Sequence, residues 1–253
     1  MSFPRSAGRF LARSNQLIVS FDRMVPVLGY APPASLVEPG PIYPQGAFTT
    51  MPYVVKTAAH RLDRLQARGL GYRYPGSAHG IAGVDLTLER GSFTVITGRV
   101  GSGKTTLLRA ILGLLPCDGG EVSWNGQPVA DAAGFFVPPR CAFTPQVPRL
   151  FSETLRENIL LGQPADDTVL AEAIHRAVLE RDVATLEKGL DTLVGTRGVR
   201  LSGGQVQRAA AERMLVRRPA LLIWDDLSSS HDVETDELLW ERMLGEPGDS
   251  PDD

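Results

Sequence analysis

Phe93-Thr94-Val95-Ile96-Thr97 runs directly into Gly98-Arg99-Val100-Gly101-Ser102-Gly103-Lys104-Thr105, and a helix-like run from Lys104 to Leu115 follows. The second stretch fits G-x-x-x-x-G-K-[ST], and it has an apolar strand before it and a helix after it, where the mechanism needs them. Glycines let the backbone wrap closely around phosphate oxygens and turn several N–H groups toward them. The helix that follows adds the positive end of its dipole. Lys104 is expected to reach the outer phosphates and Thr105 to offer its hydroxyl to Mg²⁺. A glycine-rich turn could match by chance. Against that, the chain places one of only three lysines here, in a sequence whose other 23 basic residues are arginine.

A phosphate cradle of this kind needs an acid at the end of a second apolar strand. Leu221-Leu222-Ile223-Trp224-Asp225 supplies it, and Asp225 is expected to hold the metal shell. Other β-like runs are Gly71–Tyr74, Val84–Glu89 and Glu121–Trp124, the last running into an Asn125-Gly126 turn signal. Asp167–Leu179 carries a helical stripe with Asp166 or Asp167 as its cap. A further helix is expected from Gly204 to about Arg217, ended by Pro219. Strands alternating with helices predict an α/β fold, a parallel sheet with both faces covered.

The 253-residue chain has 43% hydrophobic and 22% charged residues, ordinary globular values that exclude wholesale disorder and a disulfide scaffold. Its two cysteines, Cys117 and Cys141, read as free thiols. No run of 18 or more uncharged apolar residues crosses a bilayer. Charge is uneven: +3 over residues 1–60 and −6 over the rest. The basic leader could approach an anionic membrane surface or be a solvated arm, and the acidic body argues against a nucleic-acid partner. Residues 1–28 have the spacing of a basic amphipathic helix kinked at Pro26, and residues 29–60 read as a proline-rich linker. The globular domain is therefore placed at 61–244, with an acidic tail of disordered composition at 245–253.

Between the cradle and the second acid lies Leu201-Ser202-Gly203-Gly204-Gln205, a hydroxyl and two approachable backbones at a helix start. One molecule does not need two separate clamps for one nucleotide, whereas a head-to-tail dimer does. With these residues the sequence resembles the nucleotide-binding domain of an ATP-binding cassette (ABC) transporter over about residues 68–244. The resemblance implies a P-loop NTPase parallel sheet with helices on both faces, a small antiparallel β subdomain and an inserted helical signature subdomain. It implies ATP and Mg²⁺ as cofactors, with Tyr74 stacking on adenine and Gly98, Arg99, Val100, Gly101, Ser102, Gly103, Lys104, Thr105 and Thr106 as the Walker A loop. Gln146 in Phe143-Thr144-Pro145-Gln146 matches the Q-loop glutamine, which touches the metal together with Thr105 and Asp225. Ser202, Gly203, Gly204 and Gln205 match the signature, which closes on a partner's ATP. The alternative for Tyr74 is a strand aromatic packed in the core, and for Gln146 a polar loop residue. Residues 150–162 and 191–198 are similar to the exporter branch, with Thr196 where an acid is usual.

Two departures from the family stand out. The residue after Asp225 is Asp226 where the family has a catalytic Glu, and a carboxylate one methylene shorter stands farther from the attacking water. No histidine follows His231, so the family's switch His has no counterpart and the chain is read as stopping short of that element or having lost it. An intact signature beside a weak acid resembles the degenerate partner of a heterodimeric exporter. The expected function is ATP binding with weak hydrolysis, with Asp226, Gln146 and Lys104 as catalytic residues, on the cytoplasmic face of the plasma membrane as a peripheral subunit. The expected partners are a transmembrane permease and a second nucleotide-binding domain. The alternative is a truncated, non-hydrolytic fragment that only binds nucleotide or a partner. An SMC-type chromosome ATPase is disfavoured because no sustained heptads separate Lys104 from Ser202.

Overall fold

The computed structural model describes residues 54–164, 166–196, 198–226 and 233–244. The expected leader helix, most of the linker, residues 227–232 and the acidic tail lie outside the described residues. Strand β1 (Arg64–Arg73) pairs antiparallel with β2 (Gly80–Glu89) on one side and β3 (Gly119–Trp124) on the other, and β4 (Gln127–Pro128) completes the order β2-β1-β3-β4. Asn125 and Gly126, both at positive φ, make the β3–β4 turn, as the Asn-Gly signal predicts. This is the small antiparallel subdomain.

Helix α1 (Lys104–Ile111) packs Leu107, Ala110 and Ile111 against Leu65, Ala67 and Leu70 of β1 and Trp124 of β3 in the first core. A short helix, α2 (Ala132–Phe135), lies over the same core. Strand β5 (Cys141–Thr144) pairs in parallel with β6 (Leu221–Trp224), Cys141 opposite Leu221 and Thr144 opposite Trp224. The helices between them are α3 (Leu155–Leu160), α4 (Asp167–Arg176), α5 (Glu180–Thr185) and α6 (Gly203–Leu215), and α7 (Val233–Leu244) follows β6. Asp166, not Asp167, caps α4, accepting from the Val169 N–H. Helix α6 faces two further cores: Ala211 and Leu215 meet Ala173, Ala177, Leu239 and Met243, while Ala209 meets Leu155, Ile159, Leu170 and Leu179.

Two expectations need correction. Phe93–Thr97 is not a ladder strand: among the described residues the parallel sheet is β5–β6 alone. A strand exists by its neighbours' hydrogen bonds, and here the apolar residues pack without pairing. Ile96 leans on the first core and the Phe93 ring lies 5.2 Å from that of Trp240, while Phe93 and Val95 stay 52% and 64% exposed. The helix after the cradle also stops at Ile111 rather than Leu115, because Gly113 takes a left-handed conformation (φ +69°) that ends it. Both cysteines are free, as expected. Cys141 is buried in the first core, which pushes its thiol up to about 12. No helix among the described residues is long and apolar enough to cross a membrane.

Candidate functional site

Parallel pairing of β5 with β6 brings the C-terminal ends of both strands to one edge. The Asp225 N–H donates to the Thr144 carbonyl at 3.0 Å and extends the ladder by one residue. Gln146, two residues beyond β5, therefore stands beside Asp225 and Asp226, at the end of β6. Its Nε2 donates to Asp226 Oδ2 at 3.1 Å.

Helix α1 arrives at the same edge. Thr105 Oγ1 donates to Asp225 Oδ1 at 3.0 Å, a contact across 120 residues of chain. The other carboxylate oxygen, Oδ2, is buried and has no hydrogen-bond partner among the described residues. A hydroxyl, a carboxylate oxygen in need of a partner and a nearby amide oxygen form a hard-oxygen donor set that suits Mg²⁺.

The loop before α1 leaves the helix start without a side-chain cap. Its cap residue, Gly103, has φ +93° and gives no side-chain hydrogen bond to the helix start. A Cβ at Gly103 would stand 2.8 Å from Ile81 Cγ2, so only glycine fits against β2. The first-turn N–H groups thus have no side-chain cap. Lys104 Nζ donates to the Gly98 and Arg99 carbonyls at 2.9 and 3.2 Å, which keeps the ammonium over the cradle. Arg99, Val100, Gly101 and Ser102 line the loop, with the Ser102 N–H donating to the Arg99 carbonyl at 3.1 Å. Thr106 is buried, and its Oγ1 lies 3.3 Å from the Tyr74 hydroxyl. Tyr74 is half-buried and stacks edge-on against Tyr72, with ring centroids 4.9 Å apart. The ring is therefore tethered to the cradle helix as well as packed on its strand.

Ser202-Gly203-Gly204-Gln205 forms a different kind of helix start. Ser202 caps α6 by accepting from the Gln205 N–H, and Gln205 Oε1 accepts from the Ser202 N–H, a reciprocal box. Ser202 and Gly203 are exposed while Gly204 is buried. Lys104, Thr105, Thr106, Tyr74, Gln146, Asp225 and Asp226 thus come together at one edge, with the signature on a separate helix seated on other cores. Hydrogen bonds join the edge to this helix: Gln207 Nε2 on α6 lies 3.5 Å from the Asp226 carbonyl, and Thr144 Oγ1 donates to the Ala210 carbonyl at 3.3 Å. Asp182 and Arg208, which brace the signature, carry no motif and escape sequence reading. Only the packing of α5 on α6 reveals them.

A model of the ABC transporter family matches residues 81–229. YheI of Bacillus subtilis, a probable multidrug resistance ABC transporter ATP-binding/permease protein, is 37% identical over 172 residues, covering 67% of this chain and 29% of that protein. ABC multidrug transporter B of Aspergillus fumigatus is 34% identical, covering 65% of this chain and 10% of that one. A bacterial Atm1-family ABC exporter solved with ATP bound superposes with a TM-score of 0.64 at 28% identity, over 71% of this chain and 32% of that one. The chain spans about a third or less of the length of these relatives.

Proposed function

The chain belongs to the ABC transporter family, and from that premise we propose that it is the ATP-binding part of an exporter that binds MgATP and hydrolyses it weakly. The observation that carries this reading is the Thr105–Asp225 hydrogen bond, which joins the phosphate loop to the acid at the end of β6. Lys104 and the free donors of α1 take the phosphates, and Tyr74 offers its ring to adenine. Thr105, Asp225 and Gln146 would hold Mg²⁺, which when bound neutralises charge developing on the phosphates. Gln146 fixes the Asp226 carboxylate at the same edge, and Asp226 is the base that receives the water's proton. Its short side chain places this base back from the water, so the chain's own site turns over slowly while Ser202 serves a partner's ATP. Similarity to ATP-binding/permease proteins favours turnover over the non-hydrolytic alternative.

Transport further requires a transmembrane permease and a second nucleotide-binding domain. A heterodimer is the arrangement that best accounts for an intact signature beside a shortened acid. The chain would then act on the cytoplasmic face of the plasma membrane as a peripheral subunit. Calorimetric titration with MgATP tests the reading. The unmodified chain should bind, and Lys104→Ala should weaken binding by about tenfold or more, the size of one charge-assisted hydrogen bond. Absence of heat with the unmodified chain refutes the proposal.

A further inference from the structure

Gln205 is held twice within its own chain. Its Oε1 accepts from the Ser202 N–H at 2.8 Å, and its Nε2 donates to Asp182 Oδ1 at 2.9 Å. The second oxygen of that carboxylate, Oδ2, accepts from Arg208 Nη2 at 2.6 Å. Gln205 and Arg208 stand three residues apart on α6 and so share a face, and one carboxylate from α5 grips both. The pair is largely enclosed, with the Arg208 and Asp182 side chains 11% and 19% exposed. The chain of contacts runs Asp182, Gln205, Ser202, and it ends on a hydroxyl. Ser202 Oγ already accepts from the Gln205 N–H at 3.2 Å, so its one hydrogen is left to donate outward from an exposed position.

We propose that Asp182 is a positioning residue for the signature: it fixes the Gln205 amide, and through it the rotamer and backbone of Ser202, toward a triphosphate held by a partner. Gln205 on this account holds the cap instead of touching nucleotide. The proposal rests on the reading that Ser202 serves a partner's ATP. The physical reason for a carboxylate is twofold. It orients the amide, which could otherwise rotate, and it partners a guanidinium that would be left enclosed and unpaired without it.

The test is hydrogen exchange on the full chain. In Asp182→Ala, exchange at the amides of residues 202–205 should rise about tenfold or more, the equivalent of one charge-assisted hydrogen bond. Asp182→Glu, which keeps the charge, should bring it back. Asp182→Asn, which keeps the shape and one acceptor, should fall between them and stands in if the alanine variant does not fold. Exchange at 202–205 equal to that of the unmodified chain overturns the proposal. So does a rise spread evenly along α6, which would make the carboxylate a general helix tie. Titration of the unmodified chain with MgATP reports separately on the ATP-binding reading: its failure sinks that reading, while the exchange pattern still decides whether Asp182 holds the cap.

Discussion

Asp226 carries two marks, a shortened side chain and a left-handed backbone (φ +64°), which Asp tolerates better than most residues. Asp226→Glu restores length toward the water, and steady-state turnover should rise on the order of 10²-fold. The price is stability, on the order of 1 kcal/mol for a longer side chain in that backbone region. Unchanged turnover would show that length is not what slows the site. Glu212 stands at the opposite extreme. It is fully buried on α6, neither carboxylate oxygen has a hydrogen-bond partner among the described residues, and burial holds its carboxyl well above the usual range. The folded chain therefore keeps a proton there that the unfolded chain gives up, and stability falls as pH rises above the usual carboxylate range toward the folded value. Glu212→Gln removes that loss. The two melting temperatures should coincide near pH 4 and separate with rising pH, the Gln variant higher by about 2–4 °C for each kcal/mol recovered. A constant difference at every pH would remove Glu212 as the source.

At the element scale, the ends of helices decide where chemistry can occur. Helix α3 is closed by a reciprocal box of Thr154 and Glu157, and α4 by Asp166. Hydrogen bonds from Thr154 hold the Glu157 carboxyl below the ordinary range, and those from Thr168 and Val169 do the same for Asp166. These caps support the fold above the usual carboxylate range and lose their contribution as pH falls through their lowered values. Helix α1 has no such cap, so its start is open to phosphate, and its other end is set by Gly113. A Cβ there would lie 2.5 Å from the Ala133 N and 2.7 Å from Ala132 Cβ. Gly113→Ala should therefore cost about 1–3 kcal/mol, from left-handed strain and overlap together. Denaturant unfolding with an unchanged slope would register it as a lower midpoint, and an unaltered midpoint would contradict the stated geometry.

For the whole molecule, the uncapped start of α1 and the boxed start of α6 rest on different cores. Helix α1 is anchored in the first, with β1 and β3, and α6 in the other two. Under the proposed function they meet only when two domains pair. With MgATP and hydrolysis slowed by Asp226→Asn, scattering should report a doubled mass when the chain is mixed with a partner nucleotide-binding domain. Ser202→Ala should weaken that pairing, and equal association of both variants would count against the signature's role. The local signals were legible in the residues themselves. The cradle glycines, Lys104, the Asn125-Gly126 turn and an acidic cap at Asp166 or Asp167 act within a few residues of chain, so composition and spacing suffice to read them, while the choice of Asp166 comes from the structure. Phe93–Thr97 has the apolar residues of a strand, yet a ladder depends on neighbours that no short window contains. The sequence by itself thus determined that a glycine-rich loop opens a helix at Lys104, that Asn125-Gly126 makes a turn, and roughly where the helices near Asp167 and Gly204 begin. Only the tertiary structure decided that Thr105 meets Asp225 across 120 residues, that Gln146 reaches Asp226 and that Asp182 grips Gln205. Those contacts arise where parallel strands end together and where α5 packs on α6, and hydrogen bonds between residues so distant in the chain leave no periodic trace in it.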